Sequence, residues 1–285
     1  MEAVLKAIEQ QLNEFVQGYQ PVSGGDINRA YRIDTVSMTY FVKVNNKNKF
    51  RGMFDAEAKG LNLIASTNTI AVPQIVMQGD AGDDSYLLLE WLDTKSAAAV
   101  DMRELGRQLA DMHRVSAEYF GLPYNNYMGS LTQSNRQHST WTEFFVNERL
   151  MPMISMARGK KLLDAGDVAL FGRLYNRLAA LFDEEPPSLI HGDLWGGNYL
   201  IGSRGKPYLI DPAVSYGHRE FDIAMTTLFS GFGNEFYDAY QDAFPLTKDW
   251  RQRLNLWNIY PLLVHLDLFG VTYKQQLISS LKGYL

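Results

Sequence analysis

The residues best able to do chemistry fall in one stretch, Leu189-Ile190-His191-Gly192-Asp193-Leu194-Trp195-Gly196-Gly197-Asn198-Tyr199-Leu200-Ile201, followed by Pro207-Tyr208-Leu209-Ile210-Asp211-Pro212. Apolar residues immediately precede His191 and Asp211, so each polar group closes a short strand. A carboxylate at a strand end is held rigidly and can face a cleft. Asp193 and Asn198 are five residues apart across a loop with two glycines, and Asp211 lies thirteen further on. This set suits phosphoryl transfer. One carboxylate must orient the attacking hydroxyl and accept its proton, while separate oxygen ligands hold Mg²⁺ against nucleotide phosphates. Asp193 fits the first role; Asn198 and Asp211 fit the second. An Asx turn or a capping aspartate would explain any one of these residues, but not the whole set in this order.

These side chains need elements to place them. In the first third, Ala30–Asp34 and Thr39–Val44 are β-rich runs joined by a short polar connection, which predicts a hairpin. A helix is expected over 52–66, with Phe54, Leu61, Ile64 and Ala65 on one stripe, and Tyr86–Leu92 reads as a buried strand. Asp93-Thr94-Lys95-Ser96 is a short polar hinge, and beyond it helices dominate. Met102, Leu105, Leu109 and Met112 share one face over 101–115; Val168, Phe171, Leu174, Leu178 and Leu181 share one over 167–182. Segments 139–157 and 248–282 also read as helical, with a β-like insert at 188–211 between helices. The expected fold class is α+β: a two-lobed, protein-kinase-like fold with a small antiparallel-sheet lobe over 1–92. A larger helical lobe over 93–285 carries the catalytic loop and the acceptor site.

The His191-Gly192-Asp193 to Asn198 spacing matches the protein-kinase catalytic loop H-R-D-x-x-x-x-N, with Gly in place of Arg. The wider pattern resembles the aminoglycoside phosphotransferase and choline kinase superfamily, and within it the fructosamine kinase (ketosamine-3-kinase) family. The narrower resemblance rests on His191-Gly192-Asp193-Leu194-Trp195 leading to Gly197-Asn198, and on Ile210-Asp211-Pro212-Ala213. It rests also on Tyr216-Gly217-His218-Arg219-Glu220 leading to Asp222-Ile223-Ala224-Met225. The order of elements agrees from about residue 20 to residue 280, nearly the whole chain.

The resemblance implies further parts. Lys43, at the end of the strand Phe41-Val42-Lys43-Val44, would contact the α- and β-phosphates of ATP and pair with Glu57 of the following helix. Backbone N–H groups around Gly24 and Gly25 would cover the phosphates. Backbone groups of Glu90 and Leu92 would meet the adenine edge. Trp195 would offer an aromatic face to a sugar-like acceptor or its amine. His218 and Arg219 are expected to line the acceptor site, and His191 and Asp222 to support the catalytic loop. Some members of the family carry a cysteine in the nucleotide loop that permits redox-controlled dimerisation. Asp26 lies nearest that position here and the chain has no cysteine, so that control is ruled out.

Composition narrows the classes. With 285 residues, 46% hydrophobic and 21% charged, the chain can bury a large core. The absence of cysteine excludes disulfides, thiolate nucleophiles, Fe–S clusters and thiolate zinc sites. A net charge of −5 gives no bulk attraction to duplex nucleic acid. The N-terminus lacks the apolar region of a signal peptide, and no apolar run reaches the ~18 residues of a membrane span. A cytoplasmic protein without a membrane or nucleic-acid partner is expected; a monomer is the default. Gly202-Ser203-Arg204-Gly205-Lys206 has the wrong spacing for a Walker A loop and reads as a hairpin turn.

The sequence thus predicts an ATP- and Mg²⁺-dependent small-molecule kinase. What the resemblance adds is the acceptor: the 3-hydroxyl of a ketosamine, free or protein-bound, in a deglycation role. The alternatives are an aminoglycoside, choline or other amino-alcohol acceptor, and a non-catalytic nucleotide-binding protein.

Overall fold

The computed structural model describes residues 1–22 and 27–285. Its N-terminal part is built on strands whose two faces are both used, with four consecutive buried residues in each of two of them. After helix α1 (Glu2–Leu12) come strands β1 (Val16–Pro21), β2 (Arg29–Thr35) and β3 (Thr39–Asn46), helix α2 (Met53–Ser66), and strands β4 (Ile75–Ala81) and β5 (Asp84–Glu90). Among the described residues these strands form one antiparallel sheet in the order β1-β2-β3-β5-β4. The expected hairpin is present, with Arg29 opposite Val44 and Asp34 opposite Thr39.

Successive residues of a strand face opposite sides of its sheet. Tyr40, Val42 and Val44 join Ile33, Tyr86 and Leu88 in a core closed by Val4 and Ile8 of α1. Phe41, Leu87 and Leu89 face the other way, onto Phe54 and Leu61 of α2. Lys43 has the parity of Phe41, so the register alone aims it at α2. Two helices, not one, therefore flank the sheet, and each covers a face. On α2, Phe54, Leu61 and Ile64 are buried as expected, whereas Ala65 is exposed, one helical step of about 100° past Ile64.

Residues 93–95 leave the sheet and pair with the hairpin that follows the catalytic loop: Lys95 N–H donates to the Ile201 carbonyl at 2.9 Å and Ser203 N–H to the Asp93 carbonyl at 2.7 Å. The C-terminal part then runs α3 (Ala99–His113), the hairpin β6 (Asn126–Met128) and β7 (Leu131–Gln133), and α4 (Trp141–Phe144). A π-helical turn (Phe145–Leu150) leads into α5 (Met151–Gly159) and α6 (Ala165–Tyr175). Strands β8 (Ser188–Ile190), β9 (Tyr199–Ile201), β10 (Pro207–Leu209) and β11 (Ser215–Gly217) precede α7 (Glu220–Leu228), α8 (Asn234–Ala243), α9 (Trp250–Trp257), α10 (Ile259–Phe269) and α11 (Lys274–Lys282). Strand β8 pairs with β11 and β9 with β10, so the insert is two small ribbons. Gly202 N–H donates to the Lys206 carbonyl at 2.9 Å, the hairpin turn expected there.

Two long expected helices are divided. Over 167–182 the α-helix stops at Tyr175 and a short 3₁₀ turn, Leu178–Ala180, carries the stripe on. The tail breaks between Trp257 and Ile259, just ahead of Pro261, which has no N–H to continue the ladder, and again at Gly270 with φ of 90°. The largest core lies in this part, around Trp141, Phe144, Phe145, Phe221, Trp257 and Tyr260. Among the described residues no helix is long and apolar enough to cross a membrane.

Candidate active site

Between the sheet and the helical part lies a cleft of ≈ 740 Å³. Lys43, Glu57, Asp193, Trp195, Asn198 and Asp211 all line it. Strand pairing explains the convergence. Tyr199 of β9 faces Leu209 of β10, and the Ile210 N–H donates to the Asn198 carbonyl at 3.1 Å. Asn198 is therefore set beside the residue that precedes Asp211. Ala213 N–H donates to the His191 carbonyl at 2.9 Å, closing the other side. A groove of ≈ 770 Å³ beside Arg107 and Arg204 gathers none of the expected residues; its charges include the pairs Lys95–Asp101 and Arg107–Glu104.

Lys43 is buried and its ammonium donates to Glu57 Oε1 at 2.7 Å and to Asp211 Oδ1. Burial pushes the ammonium toward neutrality, but the charges of Asp211 and Glu57 outweigh it and raise its pKa. Desolvation raises Glu57 in turn, against the pull of Lys43.

Asp193 is half-buried on the cleft floor. Desolvation pushes its carboxyl up to about 7; the hydrogen bond from Asn198 opposes this, and the charges of Asp211 and Asp222 add to it. Asn198 Nδ2 donates to the Asp193 carbonyl at 2.7 Å and to its carboxylate at 3.0 Å. With the nitrogen so engaged, Oδ1 is the atom left for a cation. Asn198 Oδ1 and the Asp211 carboxylate, 41% exposed, form an oxygen-only pair. That suits Mg²⁺, which takes one or two protein oxygens and completes its shell with phosphates and water. Among the described residues no group of three His, Cys, Asp or Glu could hold a metal alone.

His191 and Asp222 brace this floor. His191 Nε2 donates to the Ile210 carbonyl at 2.9 Å, so Nδ1 is the acceptor for the Asp193 N–H at 3.2 Å. Burial lowers its pKa, in keeping with this neutral tautomer. Asp222 accepts from the N–H groups of His191 (2.6 Å) and Gly192 (2.8 Å) and lies 3.1 Å from His113 Nε2. Gly192 has φ of 81°, and a Cβ there would fall 2.2 Å from the Ala213 carbonyl oxygen; only glycine lets the two loops close.

Trp195 is 39% exposed, with its ring over Gly197 and edge-on to Phe229 at 5.9 Å. It is part of the cleft wall, not a core indole. The Glu90 N–H is taken by the Gln74 carbonyl at 2.9 Å, whereas the Leu92 N–H has no partner among the described residues. Gly24 and Gly25 lie outside the described residues.

The expectation for His218 and Arg219 is corrected. Neither lines the cleft. His218 is buried, stacked on Trp257 at 5.3 Å, with Nε2 3.3 Å from the Asp183 carbonyl. The Arg219 guanidinium makes two 2.7 Å bonds to Glu185, two to the Phe244 and Pro245 carbonyls, and lies over the Phe244 ring. All its donors are directed inward, so it cannot reach an acceptor.

Sequence reasoning missed the far wall: Asn126 to Gly129 from the β6–β7 hairpin, and His265, Phe269 and Tyr273 around the end of α10. The signal for the latter was a lone histidine within the apolar run Tyr260–Leu266.

The family model described as Fructosamine kinase matches residues 1–285. A probable ketoamine kinase of Enterococcus faecium is 40% identical over 266 residues, spanning 93% of this chain and 94% of that one. The crystal structure of a candidate fructosamine-3-kinase from Thermobifida fusca superposes with a TM-score of 0.90 at 34% identity, covering 100% of this chain and 99% of that one. A spectinomycin phosphotransferase solved with ADP and spectinomycin shares the fold alone, with a TM-score of 0.61 at 14% identity over 99% of this chain and 93% of that one. Full-length sequence identity and superposition agree with the arrangement on the cleft floor: the chain belongs to the fructosamine kinase family.

Proposed function

We propose that this chain transfers the γ-phosphoryl group of ATP to a sugar hydroxyl of a ketosamine, the 3-hydroxyl of a fructosamine- or ribulosamine-type adduct on an amine. The observation that carries the reading is the convergence of Asp193, Asn198, Asp211 and the Lys43–Glu57 pair on one cleft. The names of the full-length relatives and the ADP in the phosphotransferase of like fold support it.

In this reading the lobe over 1–92 takes the nucleotide, with the Leu92 N–H offered to adenine, and the lobe over 93–285 takes the acceptor. Glu57 holds Lys43, which turns from Asp211 to the α- and β-phosphates. Asn198 Oδ1 and Asp211 would hold Mg²⁺, which would supply charge neutralisation to the phosphates. Asp193 positions the acceptor hydroxyl. As its oxygen bonds to the γ-phosphorus, the bond from phosphorus to the ADP oxygen breaks and the hydroxyl proton passes to the Asp193 carboxylate. A pKa near neutrality makes that carboxylate a better proton acceptor than an ordinary aspartate. Most of the acceleration comes from positioning and charge neutralisation.

The acceptor wall favours a ketosamine over a polycationic aminoglycoside. Among the described residues the acids lining the cleft are Glu57, Asp193 and Asp211, each with a role toward nucleotide, metal or proton; the rest of its wall offers Trp195, Phe229, Phe269 and Tyr273. A coupled ADP-release assay with ketosamines of different sugar length, beside choline and aminoglycosides, tests the reading. Turnover of a ketosamine with a new sugar-phosphate phosphorus resonance is the expected result. Turnover of only the other acceptors, or of none, overturns it.

A further inference from the structure

Asp211 sits in a costly conformation. Its φ is 54°, the left-handed region that side-chain-bearing residues avoid, and Pro212 follows it. A residue before proline is further restricted toward extended backbone. Such strain persists only where the surroundings over-determine it.

Beneath Ala213, Val214 and Ser215 lies a buried relay of amides. Asn126 Nδ2 donates to the Val214 carbonyl at 2.8 Å. Its Oδ1 accepts from Gln133 Nε2 and from Asn135 Nδ2, both at 2.9 Å. Asn135 Oδ1 accepts from Arg149 Nη2 at 2.7 Å, and the same nitrogen reaches Ser215 Oγ at 3.3 Å. Asn126, Gln133, Asn135 and Arg149 are each at most 3% exposed.

Arg149 is the unusual member. It is a buried cation, and among the described residues no carboxylate pairs with it. Its neighbour Glu148 turns away, to Arg136 at 2.9 Å and His138 at 2.8 Å. An unpaired buried charge is expensive to keep. The π-helical turn Phe145–Leu150 carries Arg149, whose guanidinium lies 4.4 Å from the Phe144 ring centroid; such turns concentrate at functional sites.

A guanidinium can only donate. Asn135 must then present its oxygen to Arg149 and its nitrogen to Asn126. Asn126 must present its oxygen to Asn135 and its nitrogen to Val214. We propose that Arg149 is a positioning residue: through Asn135 and Asn126 it fixes the polarity of the relay that pins residues 213–215, and so holds Asp211 where it meets the metal–nucleotide complex. This rests on the functional reading above.

The test is Asn135→Asp, which keeps the shape and gives Arg149 a carboxylate but cannot donate to Asn126 or to the Tyr124 carbonyl, the nitrogen's second acceptor at 3.2 Å. Binding of Mn²⁺ in the presence of ADP, read by electron paramagnetic resonance, is expected to weaken about tenfold. The acceptor KM is expected to hold, and binding is compared per folded molecule, because the new carboxylate gains Arg149 but faces the Asn126 and Tyr124 oxygens. A role in packing alone predicts Mn²⁺ binding within about twofold of the unaltered chain, and that result overturns the proposal. Arg149→Lys, a shorter donor-only cation, is expected to fall between the two; equal binding there counts against the relay as well. An unaltered chain that binds no Mn²⁺ with ADP removes the functional reading and this inference together. Normal binding in the unaltered chain and in Asn135→Asp removes this inference alone.

Discussion

The loop His191–Asn198 with Asp211 and the run Gly217–Glu220 look alike in sequence, each joining glycine, a histidine and at least one acid. Their surroundings differ. In the second run every charge is closed: Arg219 is clamped by Glu185, and Glu220 accepts from Arg253 at 2.6 and 2.9 Å and from Trp257 Nε1 at 2.9 Å. In the first, Asp193 and Asp211 both line the cleft, and among the described residues Lys43 is the one lysine or arginine lining it, paired with Asp211 and not with Asp193. The lesson is that polar density does not mark a site. Charge left uncompensated toward an opening does, because a ligand must complete it. Substitutions should therefore separate the two: kinetic losses on the cleft floor, stability losses in the buried run.

Asp193→Asn should show the largest effect, a fall in kcat of about 10³-fold, measured by ADP release with acceptor present. Its effect on stability should have the opposite sign. The carboxyl is raised to about 7 from an ordinary 3.8, so the folded state holds the proton more tightly than the unfolded one. The stability this confers is complete below about pH 4 and is lost as pH rises through about 7. Thermal melts from pH 4 to pH 8 should show Asp193→Asn gaining on the unaltered chain across that window, with a steady advantage above it. In the same window kcat/KM for the nucleotide, which reports the free enzyme, should fall about tenfold per unit below pH 7. Equal melting curves throughout would mean that Asp193 carries no buried charge and belongs with the compensated group.

Lys43→Met is the case where the two behaviours meet. The ammonium is buried like Arg219 but opens on the cleft like Asp193. Its removal should lower kcat/KM for ATP by about 10²-fold, the loss of charge-assisted contacts to phosphate, and should also lower the melting temperature by leaving Glu57 unpaired. A melting loss without the kinetic one would place Lys43 with the closed run.

Glu220→Gln probes the opposite pole. Removing the charge from a buried pair leaves Arg253 uncompensated, which costs about 3 kcal/mol in folding free energy by denaturant titration. The kcat per folded molecule should stay level, because Glu220 lies behind Trp257 and outside the cleft lining. A kinetic loss that outlasts correction for the folded fraction would return the run to the site.

The sequence carried the cleft floor well because its residues are bound by short-range rules. Strand ends, the Asp193-to-Asn198 spacing and the β9–β10 hairpin fix their mutual placement within about twenty positions, and the alternation of β3 fixes the face of Lys43. His218 and Arg219 misled because a motif records type and order but not partners: Glu185, Phe244 and Trp257 come from three separate segments. The far wall was illegible for the same reason. Asn126 and His265 meet the cleft only through the packing of the β6–β7 hairpin and α10, which local periodicity does not encode. The division of the tail was half legible, since Pro261 and Gly270 stood in plain sight.

Trp195→Phe should give the smallest effect and the sharpest test of where the floor ends and the wall begins. The indole is neither engaged in the core nor free: its ring lies over Gly197, its neighbour is Phe229 at 5.9 Å, and it is 39% exposed. Phenylalanine keeps an aromatic face at the same Cβ and loses area and quadrupole strength. A lost face of this kind is worth about 1 kcal/mol against a sugar or cationic amine, which converts to a rise of about fivefold in the acceptor KM. The KM for ATP and the melting temperature should not move, because Trp195 touches neither Lys43 nor the closed run. A change confined to ATP would relocate the indole to the nucleotide side of the cleft, and a drop in melting temperature alone would make it packing. The split between the two KM values decides which, since the proposed reading sets the nucleotide toward Lys43 and the acceptor toward this wall.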